Sequence, residues 1–389
     1  MPNYSGKWNL PTVMQAEGAN NWPVPPLGVG RQLWVWGYNA NGALGTGNTT
    51  NYSSPVQVGA LTDWYDVTLG YSSSWGLKPN GTMWAWGNNN YGQLGLGNTT
   101  DISSPVQVGA LTTWLSLGGG YVSTCAIKNN GTLWAWGRGS NGQLGDGTTV
   151  NKSSPIQIGS LTNWAQASAG HTFMSAIKTD GTLWAWGRNN QGQLGDGSTT
   201  NRSSPVQIGA LTNWSKVFCR AFYQLALKTD GTIWSWGANR SGACGQGNTT
   251  AYSSPVQVGA LTTWVTIGSG SETDLDNSEW SMAIKNDGTL WTWGEGSDGQ
   301  LGVGNLTNYS SPVQVGALTT WSQITGGRKS TIAIKTDGIM WVWGDGGDGA
   351  LGLGNTTSYS SPVQLGALTT WGAIGSSNFH TGTQGLITV

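Results

Sequence analysis

The apolar positions of this chain return on a fixed beat. Trp-x-Trp-Gly begins at Trp34, Trp84, Trp134, Trp184, Trp234, Trp291 and Trp341, in steps of 50 residues apart from one of 57. Two further blocks keep time with it. Ser-Ser-Pro-[Val/Ile]-Gln places prolines at Pro55, Pro105, Pro155, Pro205, Pro255, Pro312 and Pro362. Leu-Thr-x-Trp ends at Trp64, Trp114, Trp164, Trp214, Trp264, Trp321 and Trp371. In one unit, Trp164 to Gly209, the apolar runs are too short for helices. They predict strands over 164–168, 174–178, 182–187 and 206–209. Asp180-Gly181 between two apolar runs is a hairpin signal, and Ser203-Ser204-Pro205 is expected to stay irregular. In Leu183-Trp184-Ala185-Trp186 successive side chains face opposite ways. Both sets are apolar, so both faces of that strand are expected to be buried between neighbouring sheets.

Four antiparallel strands in about 50 residues, repeated seven times, predict an all-β, seven-bladed β-propeller. The chain ends support closure. Gly385 to Val389 matches the second strand of a unit, but no Trp strand follows it. Arg31 to Trp36 is a third strand with no second strand before it. Joined, they complete one four-stranded blade, so the C-terminal strand is expected to pair with the N-terminal one. An open solenoid is the rival, and it leaves a bare strand edge at each end.

Composition narrows the function classes. Charged residues make up 9% of the chain, against about 25% in typical soluble proteins. Glycine is abundant, at 63 residues, but 25 tryptophans supply enough apolar surface for a folded core. A net charge of -1 and no basic tail argue against nucleic acid or an anionic membrane as partner. Cys125, Cys219 and Cys244 are too few and too scattered for a disulfide framework or a zinc site. No apolar run reaches the 18 residues of a spanning helix, and residues 1–26 show no apolar core of secretory-signal length.

The motifs Trp-x-Trp-Gly, Gly-Gln-Leu-Gly-x-Gly and Ser-Ser-Pro-Val-Gln, with the stretch Ala167 to Ile177, resemble the RCC1-like repeat family over Gly28 to Val389. The resemblance implies a seven-bladed propeller over 28–389. It implies less about function. Some members are nucleotide-exchange factors on chromatin, with basic tails that this chain lacks. Others are secreted bacterial inhibitors that grip an enzyme through one face of the ring. Kelch repeats share the period but carry a Gly-Gly pair ahead of spaced Tyr and Trp. Residues 1–27 read as a separate docking segment. Its Trp8, Val13, Met14 and Trp22 resemble a short leader before varied domains in virion proteins of tailed phages, especially those of cyanobacteria. The alternative is a tail that packs Trp8 and Trp22 on the ring.

Comparing the units with one another separates two faces. Successive turns of a meander alternate between the ends of a blade. The nearly invariant Asp-Gly turns and Ala-Leu-Thr links therefore share one face, and the variable loops after strands one and three share the other. The variable face offers Tyr71, Tyr121, His171, Phe222, Tyr223, Arg328, Phe379 and His380 after strand one. It offers Tyr38, Tyr91, Arg138, Arg188 and Arg240 after strand three, and Trp280 beside a seven-residue insertion near Ser271 to Glu279. Aromatic residues and Arg on loops of a rigid scaffold are typical interface anchors. The face is polarised: arginines follow the third to fifth Trp strands, whereas Glu295, Asp298, Asp345 and Asp348 follow the last two. The insertion adds Glu272, Asp274, Asp276 and Glu279.

Other motifs read as scaffold. Gly142 to Gly147 resembles a phosphate loop but lacks the Lys-Ser/Thr and recurs in every blade. Asp274, Asp276 and Glu279 do not have EF-hand spacing and read as a solvated acidic loop. His171 and His380 form no visible triad, and no carboxylate pair stands out among Glu272, Asp274, Glu295 and Asp298. Lys78, Lys128, Lys178, Lys228, Lys285 and Lys335 fall at the hairpins, where solvated charges are expected to guard strand ends. No cofactor, metal, nucleic acid or membrane insertion is expected. The leading expectation is a non-enzymatic tailed-phage virion protein (a tail fibre, spike or decoration). Its N-terminal segment meets other virion subunits and its variable face meets a host glycan or protein. The alternative is a bacterial module, cytoplasmic or at the cell surface, that binds one protein partner as scaffold or inhibitor. An enzyme stands third.

Overall fold

Blade 4 shows how one repeat becomes a sheet. In the computed structural model, which describes residues 31–271, 279–377 and 383–388, its strands are Trp164–Ala169, Phe173–Lys178, Leu183–Gly187 and Arg202–Gln207. They pair antiparallel in that order. The turn between the second and third is built by side chains. Asp180 Oδ1 accepts from the backbone N–H and the hydroxyl of Thr182, at 3.0 and 2.6 Å. The same hydroxyl accepts from Trp184 Nε1 at 3.0 Å. The fourth strand corrects the expectation of an irregular Ser-Ser-Pro. Residues 203–205 lie inside it, opposite a register shift between Ala185 and Gly187. Proline fits there because the strand is the outer edge, where no ladder donor is needed.

Seven such sheets form the ring. Blade 2 begins at Asp66–Leu69, and blades 3 to 7 begin at Trp114, Trp164, Trp214, Trp264 and Trp321. Blade 1 is assembled from both chain ends, in the order Tyr52–Gln57, Arg31–Gly37, Thr383–Thr388, Trp371–Ile374. The closing ladder runs from Arg31 opposite Thr388 to Trp36 opposite Thr383, as the chain ends predict. The first strand of each blade is innermost, and neighbouring inner strands touch around the axis. Gln166 ties two of them together: its amide donates to Val217 O at 3.0 Å and accepts from Val217 N at 2.9 Å. The only helical piece among the described residues is a 3-10 turn, Gly347–Gly349. None of their helices is long and apolar enough to cross a membrane.

Tryptophan packs blade on blade. The second Trp of each Trp-x-Trp-Gly is fully buried, and six of the seven donate across to a carbonyl of the preceding blade, as Trp186 Nε1 does to Gln143 O at 2.9 Å. At Trp236 the matching carbonyl, Gln193 O, is taken by Gln224 Nε2 at 2.6 Å. The Leu-Thr-x-Trp residues are also buried and meet the Trp-x-Trp pair edge-on, as Trp164 meets Trp184 and Trp186 at 6.1 and 6.4 Å. The expectation of two fully buried faces fails for the first Trp of the motif. Trp184 and its six counterparts are only partly buried; Trp184 and Trp341 line open grooves between neighbouring blades.

The lysine ring is also not what the hairpins predict. Lys78, Lys128, Lys178 and Lys228 are buried, and all six ammonium groups lie over a Trp pair. Lys128 Nζ is 3.4 Å from the Trp134 ring centre and 4.8 Å from that of Trp114. The charge exchanges water for two indole faces. Desolvation lowers the Lys128 and Lys228 ammonium groups from the usual lysine value.

Candidate binding face

The loops after the inner strands converge around the ring axis. Each tip hangs on its neighbour through the backbone: Tyr71 N donates to Tyr121 O at 3.3 Å, Tyr121 N to Gly170 O at 3.2 Å, and His171 N to Arg220 O at 3.3 Å. Glycine just before each tip allows this approach. A Cβ on Gly120 would stand 2.7 Å from Gly170 O, and one on Gly170 would stand 2.4 Å from Arg220 O. The side chains that follow are forced side by side. Tyr71 stacks on Tyr121 at 4.5 Å, Tyr121 meets His171 at 4.2 Å, and His171 meets Phe222 at 5.7 Å. Four blades thus present one unbroken aromatic arc. Tyr71, at its open end, is 38% exposed, and the other three are half-buried against one another.

The loops after the third strands join the same face, as the meander argument requires. Arg188 Cζ lies 5.8 Å from the Phe222 ring centre, and Arg138 Cζ lies 5.1 Å from that of Tyr91. Tyr38 is half-buried and Arg240 exposed. These loops are stiffer than their variability implies. Buried Asn39 donates to Asn48 O and Thr50 O, both at 3.0 Å, and accepts from Leu44 N at 2.9 Å. Asn239 repeats this set, and Asn89 and Asn189 repeat part of it. On the acidic side, Glu295 is buried and accepts from Ser241 Oγ at 2.7 Å and Asn308 Nδ2 at 3.0 Å. Asp298 pairs with Lys329 at 3.5 Å, beside half-buried Arg328. Asp348 is exposed, at a positive φ of 55°.

Two predicted face residues are not on the face. Tyr223 and Trp280 are completely buried. Tyr223 opens its second strand and Trp280 is the second residue of its own, Glu279–Lys285, rather than tipping a loop, so each side chain turns between blades. Tyr223 Oη donates to Trp280 O at 2.8 Å and shares a hydrogen bond with Ser281 Oγ at 2.9 Å. Trp280 Nε1 donates to Thr331 Oγ1 at 3.2 Å. Phe379 and His380, the acidic residues Glu272, Asp274 and Asp276, and the segment with Trp8, Val13, Met14 and Trp22 lie outside the described residues. Among the described residues no three His, Cys, Asp or Glu side chains converge. The three cysteines are free and buried, and burial raises their thiols, that of Cys219 to about 12.

Glu279 is a second correction. It is not a solvated member of the acidic insertion but is 1% exposed, and its Oε1 accepts from Phe222 N at 2.7 Å. It thereby ties the end of the aromatic arc to blade 6. Burial pushes its carboxyl up to about 8, against the lowering effects of the Phe222 N–H and of Arg220. Arg220 is equally buried, its Nε donating to Ser269 Oγ at 2.7 Å and its guanidinium reaching Ser269 O. Arg220 occupies the position of Gly70, Gly120 and Gly170 in the preceding blades. That break in the repeat was the available sign of this buried cluster. A carboxyl raised in the folded state contributes stability that is whole below its unfolded value, near 4.5, and is lost as pH rises through about 8. We therefore expect the unfolding temperature to fall by about 5 °C between pH 5.5 and 8.5, and Glu279→Gln to flatten that slope in a calorimetric pH series. Asp66, raised to about 6 by burial, acts in the same sense but is spent by the middle of this range.

Comparison with known proteins follows the geometry. The family model described as RCC1-like domain matches residues 32–275. That described as regulator of chromosome condensation (RCC1) repeat matches residues 287–334 and 337–383. No curated protein matches. Among solved structures, a chain of "Crystal structure of Kap60 bound to yeast RCC1 (Prp20)" superposes with a TM-score of 0.81 at 19% identity, over 93% of this chain and 90% of that one. Prp20p of Saccharomyces cerevisiae, in a structure described together with its binding to Gsp1p and histones, gives 0.81 at 18%, over 93% and 92%. Human WBSCR16 gives 0.78 at 18%, over 92% and 99%. At such identities the likeness shows the fold. The comparisons lend no support to a virion assignment or to a glycan ligand.

Proposed function

Because the chain belongs to the RCC1-like family, we propose that it is a non-enzymatic binding module that grips a single protein partner with its variable face. The observation that carries this reading is the arc Tyr71–Tyr121–His171–Phe222, held rigid by backbone bonds between blades. Aromatic side chains already ordered lose little entropy on binding and bury a large area each. The proteins named beside the yeast relative, Kap60, Gsp1p and histones, are in keeping with a protein ligand. The charge around the arc gives the partner an orientation. Arg138, Arg188 and Arg240 flank it on blades 3 to 5 and favour an acidic stretch there. Asp298, Asp345 and Asp348 favour a basic one across the ring.

The test is affinity capture from the source cells with the wild-type ring and with Tyr121→Ala and Arg188→Glu variants, the captured proteins being identified by mass spectrometry. One protein recovered by the wild type and reduced about tenfold or more by each variant is the expected result. Equal recovery by all three would remove the variable face from the reading. Binding to a glycan array that the same variants abolish would replace the protein partner with a sugar.

A further inference from the structure

The face opposite the variable loops is nearly the same in every blade, and it projects apolar side chains. The leucines of the seven Ala-Leu-Thr or Ser-Leu-Thr links are 40–47% exposed. Each link runs beside a hairpin turn: Trp214 N donates to Gly181 O at 3.2 Å, which sets the Leu211 link against the Asp180-Gly181 turn. Between blades 3 and 4 a surface groove is lined by Gln157, Leu161, Trp164, Trp184 and Pro205. Between blades 6 and 7 the equivalent groove is lined by Gln314, Leu318, Trp321, Trp341 and Pro362. The ammonium groups of Lys178 and Lys335 are held over the same Trp pairs. A projecting leucine and an aromatic groove therefore lie side by side.

Such a surface is complementary to itself. Two of these faces related by a two-fold axis in the plane of the rings set blade boundary against blade boundary, so each leucine meets the boundary of the facing ring. A partner without seven-fold repetition can use one or two of the leucines, whereas a second copy uses all of them. Leucines nearly half exposed leave on the order of 500 Å² of apolar surface bare per ring. With the exposed Ala and Thr of the same links and the indole edges in the grooves, the face reaches the roughly 800 Å² that a stable interface takes from each partner. Charge selects the register. The turns carry exposed Asp180, Asp230, Asp287 and Asp337 on blades 4 to 7, but exposed Asn80 and Asn130 on blades 2 and 3. Arg31 holds the turn position in blade 1, its carbonyl accepting from Trp64 N at 3.2 Å just as that of Gly81 accepts from Trp114 N. A two-fold axis through blade 4 sets blades 5, 6 and 7 over blades 3, 2 and 1. Asp230 and Asp287 then face asparagine blades, Asp337 faces the blade of Arg31, and only Asp180 faces its own copy.

We propose that this face pairs with the same face of a second copy of the chain, leucine into groove, about a two-fold axis that passes through blade 4. The two rings lie back to back and turn their variable faces outward, one at each end of the pair. The inference concerns the face opposite the proposed partner site and stands or falls apart from it.

Sedimentation equilibrium of the full chain tests it. The wild type is expected to be dimeric at about 50 µM. Leu161→Glu and Leu211→Glu, which place a charge beside the two-fold axis, are each expected to weaken the dimer at least about tenfold. Both leucines are exposed, so neither change threatens the fold. Val150→Glu alters a still more exposed residue, at 58%, in a third-strand loop of the other face, and is expected to leave the dimer unchanged. Asp180→Asn is expected to tighten it several-fold by removing the one carboxylate that meets its own copy. The turn tolerates asparagine, because the Oδ1 atoms of Asn80 and Asn130 already accept from the backbone and hydroxyl of Thr82 and Thr132. A monomeric wild type, or a dimer indifferent to both leucine changes, would overturn the proposal. A dimer weakened equally by Val150→Glu would overturn it in favour of unspecific apolar association, and no gain from Asp180→Asn would overturn the axis through blade 4. A monomer that instead floats with phosphatidylcholine vesicles, and loses this with Leu161→Glu, would put a lipid surface in place of the second copy.

Discussion

A chain ending at residue 382 no longer unfolds in one cooperative step at room temperature. The missing strand, Thr383–Thr388, is the second of blade 1's four and sits between Arg31–Gly37 and Trp371–Ile374. Without it both neighbours lose their ladders, and the ring has two facing open edges. The remaining six blades still contact one another in sequence, but the ring is then held shut only by Ser376–Ser377 beside Thr68–Leu69 and by the first hairpin's bonds to blade 7, such as Trp36 Nε1 to Ala350 O. Open edges also recruit other chains, so sedimentation is expected to show aggregates beside any monomer. A gentler form of the same experiment is Leu386→Ala. Leu386 is 1% exposed and packs with Leu33, Val35, Val67 and Trp86 across the seam. Its truncation is expected to cost about 3 kcal/mol in a urea titration. A loss below about 0.5 kcal/mol would mean that closure contributes little to the stability of the ring.

Gly145→Ala is expected to cost about as much from a single methyl group. Gly145 has φ near +79°, and a Cβ there would lie 2.6 Å from Trp186 Nε1 and 2.9 Å from Cδ1. The indole cannot retreat, because it is fully buried and its N–H is held by Gln143 O. The left-handed backbone adds about 1–2 kcal/mol for any residue with a Cβ. Displacing Trp186 adds the price of a poorly filled core, for a total of about 3–5 kcal/mol. The control is Gly159→Ala. It has a similar φ, +63°, with nothing within 4 Å of its Cβ, and is expected to lose only the backbone part, about 1 kcal/mol. If the two variants matched, the indole contact would not be what makes glycine necessary here.

The fold was legible because one unit repeats with little change. Trp-x-Trp-Gly marks the third strand and Leu-Thr-x-Trp the first, and the unmatched halves at the chain ends revealed the seam. The fourth strand was misread because Ser-Ser-Pro looks like a loop when its neighbour is unknown. Proline at an outer edge becomes acceptable only once the sheet order is settled. The site was legible as a face but not residue by residue. Tyr71, Tyr121, His171 and Phe222 could be placed at loop tips by counting, yet their contact with one another depends on the curvature of the ring. Tyr223 and Trp280 lie just inside the second strand rather than on the loop before it, enough to turn a side chain from solvent into the core. Arg220 and Glu279 lie 59 positions apart in different blades, so their shared burial leaves no local trace beyond a glycine that is missing.

The lysines have a consequence beyond packing. Six of the ten lysines hold their amines against indole rings. Acylating enzymes, activated esters and trypsin all need that nitrogen free, and its lowered basicity at Lys128 and Lys228 gives no help while the rings cover it. In the native ring these six positions are therefore shielded from lysine chemistry, whereas Lys152, Lys216 and Lys329 are only partly covered and Arg240 is exposed. At the six, modification and cleavage act as reporters of a blade opening rather than of the folded surface.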